Sequence, residues 1–470
     1  MAIGPSSTVS TGAKDPGKFD VESPSQQRAL FKTYYDKISE NTFNSSSPLF
    51  SMIRRPEKKF TGNQFVEGVV LGQQAGSGSG VLPEAGGSRN AQLTMLSRRS
   101  YQRVSIQGEA VQASKNDKGA FIDATKFALS GAIKNFTNSA TRQLYGDGSG
   151  ILGRGNGVTG SYLKLGTNRY RISLDNTRNH PTNVTEALTA QGFIPANFEP
   201  GSIVQLVDTI SDTVEDELLE ITRVNKDTGT IEVTGVSQAL ERKNDITTGN
   251  TGRTDHLAPS EGFVLQKSYN REMQGFMYAI NHTSAAVVYG IATADENTLV
   301  KEPRWNALQV DANLQSVAPL MLREMYLDLD ENFGCQNGNY MFTASFLQYK
   351  KLLANLDSAA GAGKGQTYYS MKGRNSSKNA KPFYGLAVNT EHGPVPVFPD
   401  RFCPEGMVYL INTDYVKTVL RPGGYRWLQH DGHVLNREEN RDSVEARYGG
   451  YGNNIIYPFA HAVLYNLDVS

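Results

Sequence analysis

Gly148, Gly150 and Gly153 reproduce the G-x-G-x-x-G spacing whose glycines let a backbone approach a pyrophosphate. That chemistry needs a strand before the glycines and a helix after them. Here a long helical pattern precedes them and none follows, so the spacing reads as a flexible helix exit built on glycine's backbone freedom. The segment GAGKGQ at 361–366 approaches a phosphate-binding loop. It fails at both ends: Gly365 follows Lys364 where Ser or Thr is needed, and Ser358 stands where the first glycine belongs. His430 and His433, in HDGH, are a close pair without a third ligand nearby, so no metal site is expected. Neither G-x-S-x-G nor H-E-x-x-H occurs. Glu215, Asp216 and Glu217 read as a solvated acidic face rather than as acid–base groups. Cys335 and Cys403 are too far apart in sequence for a disulfide scaffold or a cysteine zinc site, which fits a reducing compartment. No catalytic residue, cofactor or metal is expected.

The residues that remain are better suited to holding other surfaces. The 470 residues carry 47 Lys plus Arg against 47 Asp plus Glu, so association is not opposed by net self-repulsion. A hydrophobic share of 38% with 46 glycines excludes whole-chain disorder. No apolar run is long enough to cross a bilayer, and the opening MAIGPSSTVSTG lacks the charged and apolar regions of a signal peptide. Charge is unevenly placed. A basic knot, RRPEKK, occupies 54–59, whereas 193–235 holds only Arg223 and Lys226 among nine acidic residues. The balance is not that of a dedicated nucleic-acid reader.

The elements that must position these groups follow from periodicity. Residues 1–60 are polar, with one amphipathic patch at 26–40 in which Leu30, Phe31, Tyr34, Tyr35 and Ile38 recur at helical spacing. Such an arm lacks a core and should lie on another surface. Two strand-like runs at 65–73 and 92–111 flank a Gly/Ser tip at 75–90, predicting a long hairpin that also needs a partner surface. A helix over 119–145 buries Ile122, Leu129, Ile133, Phe136, Ala140 and Leu144 on one face and reads as a strut. Residues 161–262 are β-rich, with the turn KDTG at 226–229. A second helix is expected over 306–333, kinked at Pro319, with Val310, Leu314, Val317, Met321 and Met325 on one face. Then come a strand in NYMFTAS, a helix in FLQYKKLLANL, a basic loop at 357–382, and closing strands that end in HAVLYNLDV.

This order of parts resembles the major capsid proteins of tailed bacteriophages, the Johnson fold, over nearly the whole chain. The resemblance implies an α+β fold with an N-arm (1–60), an extended E-loop hairpin (61–112) and a P-domain spine helix (113–160). A β-rich insertion (161–262), P-domain strands (263–305), an A-domain (306–424) and closing P-domain strands (425–470) follow. The β-rich stretch is larger than the minimal fold needs, and the short N-terminal region leaves no room for a covalent scaffolding segment. The implied function is a self-assembling icosahedral shell of hexamers and pentamers, built in the host cytoplasm. Its partners would be further copies, a portal protein, a separate scaffolding protein, a decoration protein, and packaged double-stranded DNA held without sequence specificity; no membrane is implied. Intersubunit contacts are expected at Leu30, Phe31, Tyr34, Arg54, Arg55, Glu67, Glu84, Arg89, Arg98, Arg99 and Arg103. Some members of that family cross-link a lysine of the hairpin to an asparagine of a neighbour. Residues 61–112 contain no lysine, and Lys58 and Lys59 lie in the basic knot, so a non-covalent shell is expected. Two rivals are an encapsulin-like nanocompartment shell, and a glycan-binding or glycan-cleaving protein, for which Trp305 and Trp427 offer few aromatic platforms.

Overall fold

The computed structural model describes residues 48–60, 62–72, 89–107, 118–156, 162–166, 169–175, 194–214, 218–226, 228–235, 260–281, 286–293, 305–335, 338–361, 386–429, 434, 436–437 and 442–469. Helix α1 (Pro48–Met52) precedes strands β1 (Gln64–Gly72), β2 (Arg89–Leu96) and β3 (Arg98–Gln107), then helix α2 (Lys118–Tyr145). Strands β4 (Ile151–Arg154), β5 (Tyr162–Gly166), β6 (Arg169–Ser173) and β7 (Ile203–Asp208) come next. After them lie β8 (Thr213–Val214), β9 (Leu219–Asn225), β10 (Thr230–Gly235) and β11 (Glu261–Leu265). Helix α3 (Phe276–Ala279) is followed by β12 (Val287–Val288), β13 (Ile291–Ala292), β14 (Leu308–Asp311) and helix α4 (Pro319–Phe333). Then come β15 (Tyr340–Ala344), helix α5 (Phe346–Gly361), β16 (Ala387–Thr390), β17 (Gly393–Pro399), β18 (Val408–Asn412) and β19 (Val416–Leu420). The chain closes through β20 (Arg426–Trp427), β21 (Asn436–Arg437), β22 (Ser443–Ile456) and β23 (Ala462–Tyr465). The fold is mixed α+β and rich in strand.

The 28-residue α2 is about 42 Å long at 1.5 Å per residue. It lies on the sheet formed by β3 and β22, where Phe136 meets Tyr425 and Tyr448 edge-on at 4.9 and 5.1 Å. The buried face follows the i+4 steps of Ala132, Phe136, Ala140 and Leu144, so Ile133, expected inside, is 38% exposed. The helix ends at Gly146, and Gly148 and Gly150 take positive φ. A Cβ on Gly150 would sit 2.8 Å from the Ser268 carbonyl, and one on Gly275 would sit 2.3 Å from that of Leu144. Glycine is required here because a loop is pressed against the helix end. Arg142 pairs with Glu272 across this junction, both buried.

The hairpin is shorter than its pattern. β1 and β2 pair from Gln64 opposite Leu96 to Gly72 opposite Arg89. Ser97 donates its N–H to the Asn63 carbonyl, and the chain then leaves the hairpin. β3 pairs with β22 instead, from Arg98 opposite Gly452 to Gln107 opposite Ser443. The second expected arm is thus two strands in two sheets. Alternation alone cannot reveal which partner a strand chooses.

Strands β4 to β11 form one antiparallel sheet in the order β4-β11-β7-β9-β10-β6-β5, with β8 on β7. It closes its own core around Tyr170, Ile172, Val204, Ile221, Ile231 and Phe263. This lobe begins at β4 and runs into β11, beyond the expected bounds of 161 and 262. A six-stranded mixed sheet, β14-β23-β18-β15-β17-β16, packs against α4 and α5. Two expectations change here. Pro319 starts α4 rather than kinking it, since Ala318 is extended and a missing N–H costs nothing at the first turn. Val310 accordingly sits in β14, not on a helix face. The final strand β23 lies between β14 and β18 and is wholly buried, so the tail completes this sheet rather than the one built on β22.

Candidate assembly interface

Burial alternates strictly along β1: Val69 faces inward, Phe65 and Glu67 are half-covered, and Gln64, Val66, Gly68 and Val70 face out. On β2, Leu93 and Met95 are buried while Asn90, Gln92 and Leu96 are exposed. The inner face joins a core that includes Leu49, Ile53, Tyr289, Trp305 and Ile455. The outer face leaves Val66, Val70 and Leu96 at 43, 63 and 47% exposure. β1 and β2 form a two-stranded sheet; the outer edge of β2 is met by the Tyr289 carbonyl, which accepts from the Thr94 N–H at 2.8 Å, whereas no strand pairs with the outer edge of β1 among the described residues. The hairpin base is pinned by Asn453, whose Nδ2 donates to the Leu96 carbonyl at 3.1 Å.

The strip beside it has a different chemistry. Ser100 of β3 is buried and donates to Gln143 on α2 at 3.3 Å, which fixes the even-numbered side of β3 against the helix. Arg99, Tyr101 and Arg103 therefore face outward. In register across β22 they meet Tyr451, Gly449 and Arg447. The buried Glu445 is gripped by Arg103 at 2.9 Å and by Arg447. That hydrogen bond to Glu445 holds the Arg447 guanidinium above its usual range. One carboxylate against three outward arginines leaves this strip basic, with two exposed tyrosines in it.

Several residues expected at subunit contacts have partners within the chain. Arg54 pairs with Asp414 at 2.8 Å, and Arg55 stacks on Phe50 at 4.0 Å. The basic knot runs parallel along β19, with the Thr418 N–H donating to the Arg54 carbonyl and Lys58 donating to that of Leu420. Glu67 accepts from the Tyr457 hydroxyl at 3.0 Å; burial above all, and then this carboxylate, pushes that phenol up. Arg98 donates to the Asn270 carbonyl, and burial lowers its guanidinium pKa. Arg99 is exposed, and Arg89 stands opposite Gly72 at the far end of the hairpin. Leu30, Phe31, Tyr34 and Glu84 lie outside the described residues, as do His430 and His433. Sequence reasoning missed Val66, Val70, Leu96, Tyr101 and Tyr451; their signal is the outward phase of a two-residue period.

Among the described residues no group of three or more His, Cys, Asp or Glu is placed to hold a metal, and no helix is long and apolar enough to cross a membrane. Both cysteines are buried, and burial pushes the Cys335 thiol up to about 11.

No family model matches the sequence, and no curated protein does. Solved structures do. The likeness is to capsid subunits. The cyanophage A-1(L) capsid asymmetric unit covers 93% of this chain, and 97% of its own, at 11% identity and a TM-score of 0.48. The capsid of an empty GTA particle covers 95%, and 99% of its own chain, at 9% identity and a TM-score of 0.42. An encapsulin complex from Synechococcus elongatus covers 34%, and 54% of its own chain, at 15% identity and a TM-score of 0.24.

Proposed function

We propose that this chain is the major capsid protein of a tailed bacteriophage, assembling through hexamers and pentamers into an icosahedral shell around double-stranded DNA. The observation that carries the reading is the two-sided hairpin. Val69, Leu93 and Met95 tie it to its own subunit, while Val66, Val70 and Leu96 leave an apolar strip beside the open edge of β1. A second copy covering that strip turns a liability into a contact. Heterologous contacts of this kind close into rings, and repetition supplies the avidity. In this reading 1–60 is the arm, β1–β2 the E-loop, α2 with β3 and β22 the P-domain, and the six-stranded sheet the A-domain. The acidic stretch 193–235 faces outward, because phosphates repel it. Further copies, a portal, a separate scaffolding protein and a decoration protein are the partners, with DNA held by non-specific contacts inside a virion.

Negative-stain microscopy of the purified chain, with nucleic-acid content measured on the particles from infected cells, tests this. Shells carrying DNA are expected. Stable monomers reject the reading, and shells filled with a protein cargo and no genome favour an encapsulin-like compartment. Because 61–112 lacks lysine, boiled particles should run as one band near 51.5 kDa. A ladder that survives reductant would show covalent locking instead.

A further inference from the structure

The lobe built from β4 to β11 exposes a knob at one end and a matching face at the other. The knob is the turn between β7 and β8. Ile210 is 84% exposed there, the most exposed large apolar side chain among the described residues. Asp208 and Asp212 flank it. Asp208 accepts from the Ile210 N–H at 3.0 Å and from Ser211 at 2.9 Å, and Asp212 accepts from the Tyr269 hydroxyl at 2.8 Å. These bonds hold the two carboxylates on either side of the isoleucine.

The face lies across β5, β6, β10 and β9, on the side opposite the lobe's core. In register, Leu163 stands beside Arg171, Arg171 beside Glu232, and Glu232 beside Arg223. Leu163 is 51% exposed. Glu232 is buried and already engaged by Arg169 and Arg171, at 2.8 Å each. Arg223 is exposed and forms no ion pair among the described residues. A cleft of about 290 Å³ runs along Arg171, Arg223 and Glu232. Counting Glu220 in the next row, this face has three guanidiniums against two carboxylates.

We propose that the β7–β8 turn of one copy docks on this face of a neighbouring copy, with Ile210 against Leu163, Asp212 paired to Arg223, and Asp208 paired to Arg171. The occupant is a second copy because the knob supplies what the face lacks: an apolar tip between two carboxylates. The two cannot meet within one subunit. From the register, they are separated by about ten residues along the strand direction, roughly 30 Å at 3.3 Å per residue. A knob and a socket at opposite ends make a heterologous, head-to-tail contact, the kind that closes a ring. The proposal rests on the shell reading above, and adds lobe-to-lobe joints to those of the hairpin.

The test is a charge swap in the full chain. Arg223→Glu spares the two clamps on Glu232. Asp212→Arg gives up the Tyr269 hydrogen bond at a turn residue of positive φ. Asp212→Asn, which suits that backbone and reverses no charge, is its folding control, and all three should match the parent in circular dichroism. Each charge reversal alone should lower particle yield at low salt by about tenfold or more, since like charges then face each other in every copy. The double variant should restore it, and Ile210→Ser should reduce yield with no charge change. Full assembly of both single variants, or a double variant no better than either, overturns the lobe contact while leaving the shell reading intact. A parent chain that forms no particles overturns both.

Discussion

In the β4–β11 lobe, Ile172, Val204, Ile221 and Ile231 are each at most 1% exposed, and they bury one another on neighbouring strands of a single sheet. In the hairpin, Leu93 and Met95 are equally buried, but against residues drawn from Leu49 to Tyr465. The lobe can close its core once its own residues are ordered. The hairpin cannot, because β22 and the tail must first return across more than 300 residues of chain. The first region carries its stability with it. The second borrows stability from the rest of the subunit, and its outer face remains free for a neighbour.

The sharpest way to break this comparison is to hollow out each core in turn. Leu93→Ala and Ile231→Ala both remove a fully buried side chain, at a cost of about 2–5 kcal/mol. Hydrogen exchange should show different footprints. Leu93→Ala should speed exchange in β1, β2, β3 and β22 while leaving β9 and β10 protected; Ile231→Ala should do the reverse. If either variant loosens both regions equally, the lobe does not stand on its own core.

Acid sharpens the contrast by a smaller amount. His461, just before β23, is fully buried, and that burial lowers its imidazole to about 3. Its Nδ1 accepts from the Asn412 N–H at 3.1 Å, so the proton of the neutral ring is on Nε2. The unfolded chain binds a proton near pH 6.5 and the folded one does not, so stability falls as pH drops below 6.5. By pH 5 the loss is about 2 kcal/mol. In the lobe, the hydrogen bond from Arg171 and then that from Arg169 lower the Glu232 carboxyl. That contribution is complete above the unfolded glutamate's pKa and is lost only as pH falls through the lower, folded value. Urea titrations at pH 7 and 5, followed by exchange in β18 and β23 against β9 and β10, should show the six-stranded sheet weakening first. A lobe that weakens between pH 7 and 5 by as much as that sheet would contradict the assignment.

How far these differences could be read in the sequence depends on the range of the interactions. The helix of 119–145, the strand pairs around 203–235 and the turn at Gly229 are local, and each showed in periodicity or turn chemistry. Partner choice is not local. Nothing in RRSYQRVSIQ says that it leaves β2 to pair with SVEARYGGYG some 345 residues later. Nothing in HAVLYNLDV says which of two sheets it completes. Pro319 misled for a related reason: proline marks a break, and whether the break is a kink or a first turn depends on Ala318 being extended. The candidate interface was half legible. Its charged members stood out by type, although Arg54, Arg98 and Arg103 turn to partners inside the subunit. Its apolar members, Val66 and Val70, looked like ordinary strand core until the structure fixed which phase faces in.

The smallest effect on the subunit tests the borrowed-stability argument most directly. Val70 is 63% exposed on the hairpin's outer face, opposite Asn90. A lysine there removes no packed contact, so Val70→Lys should change the subunit's unfolding free energy by no more than about 0.5 kcal/mol. The same change sets an ammonium where a neighbouring copy would bury a valine, and the charge must then be desolvated or the contact abandoned. Sedimentation of the variant should give folded subunits with the parent's urea midpoint and few or no particles. Normal particle yield would mean that this face stays in water after assembly. A lowered urea midpoint would mean that Val70 is covered within its own subunit, and the division of the hairpin into a borrowed face and a free one would be wrong.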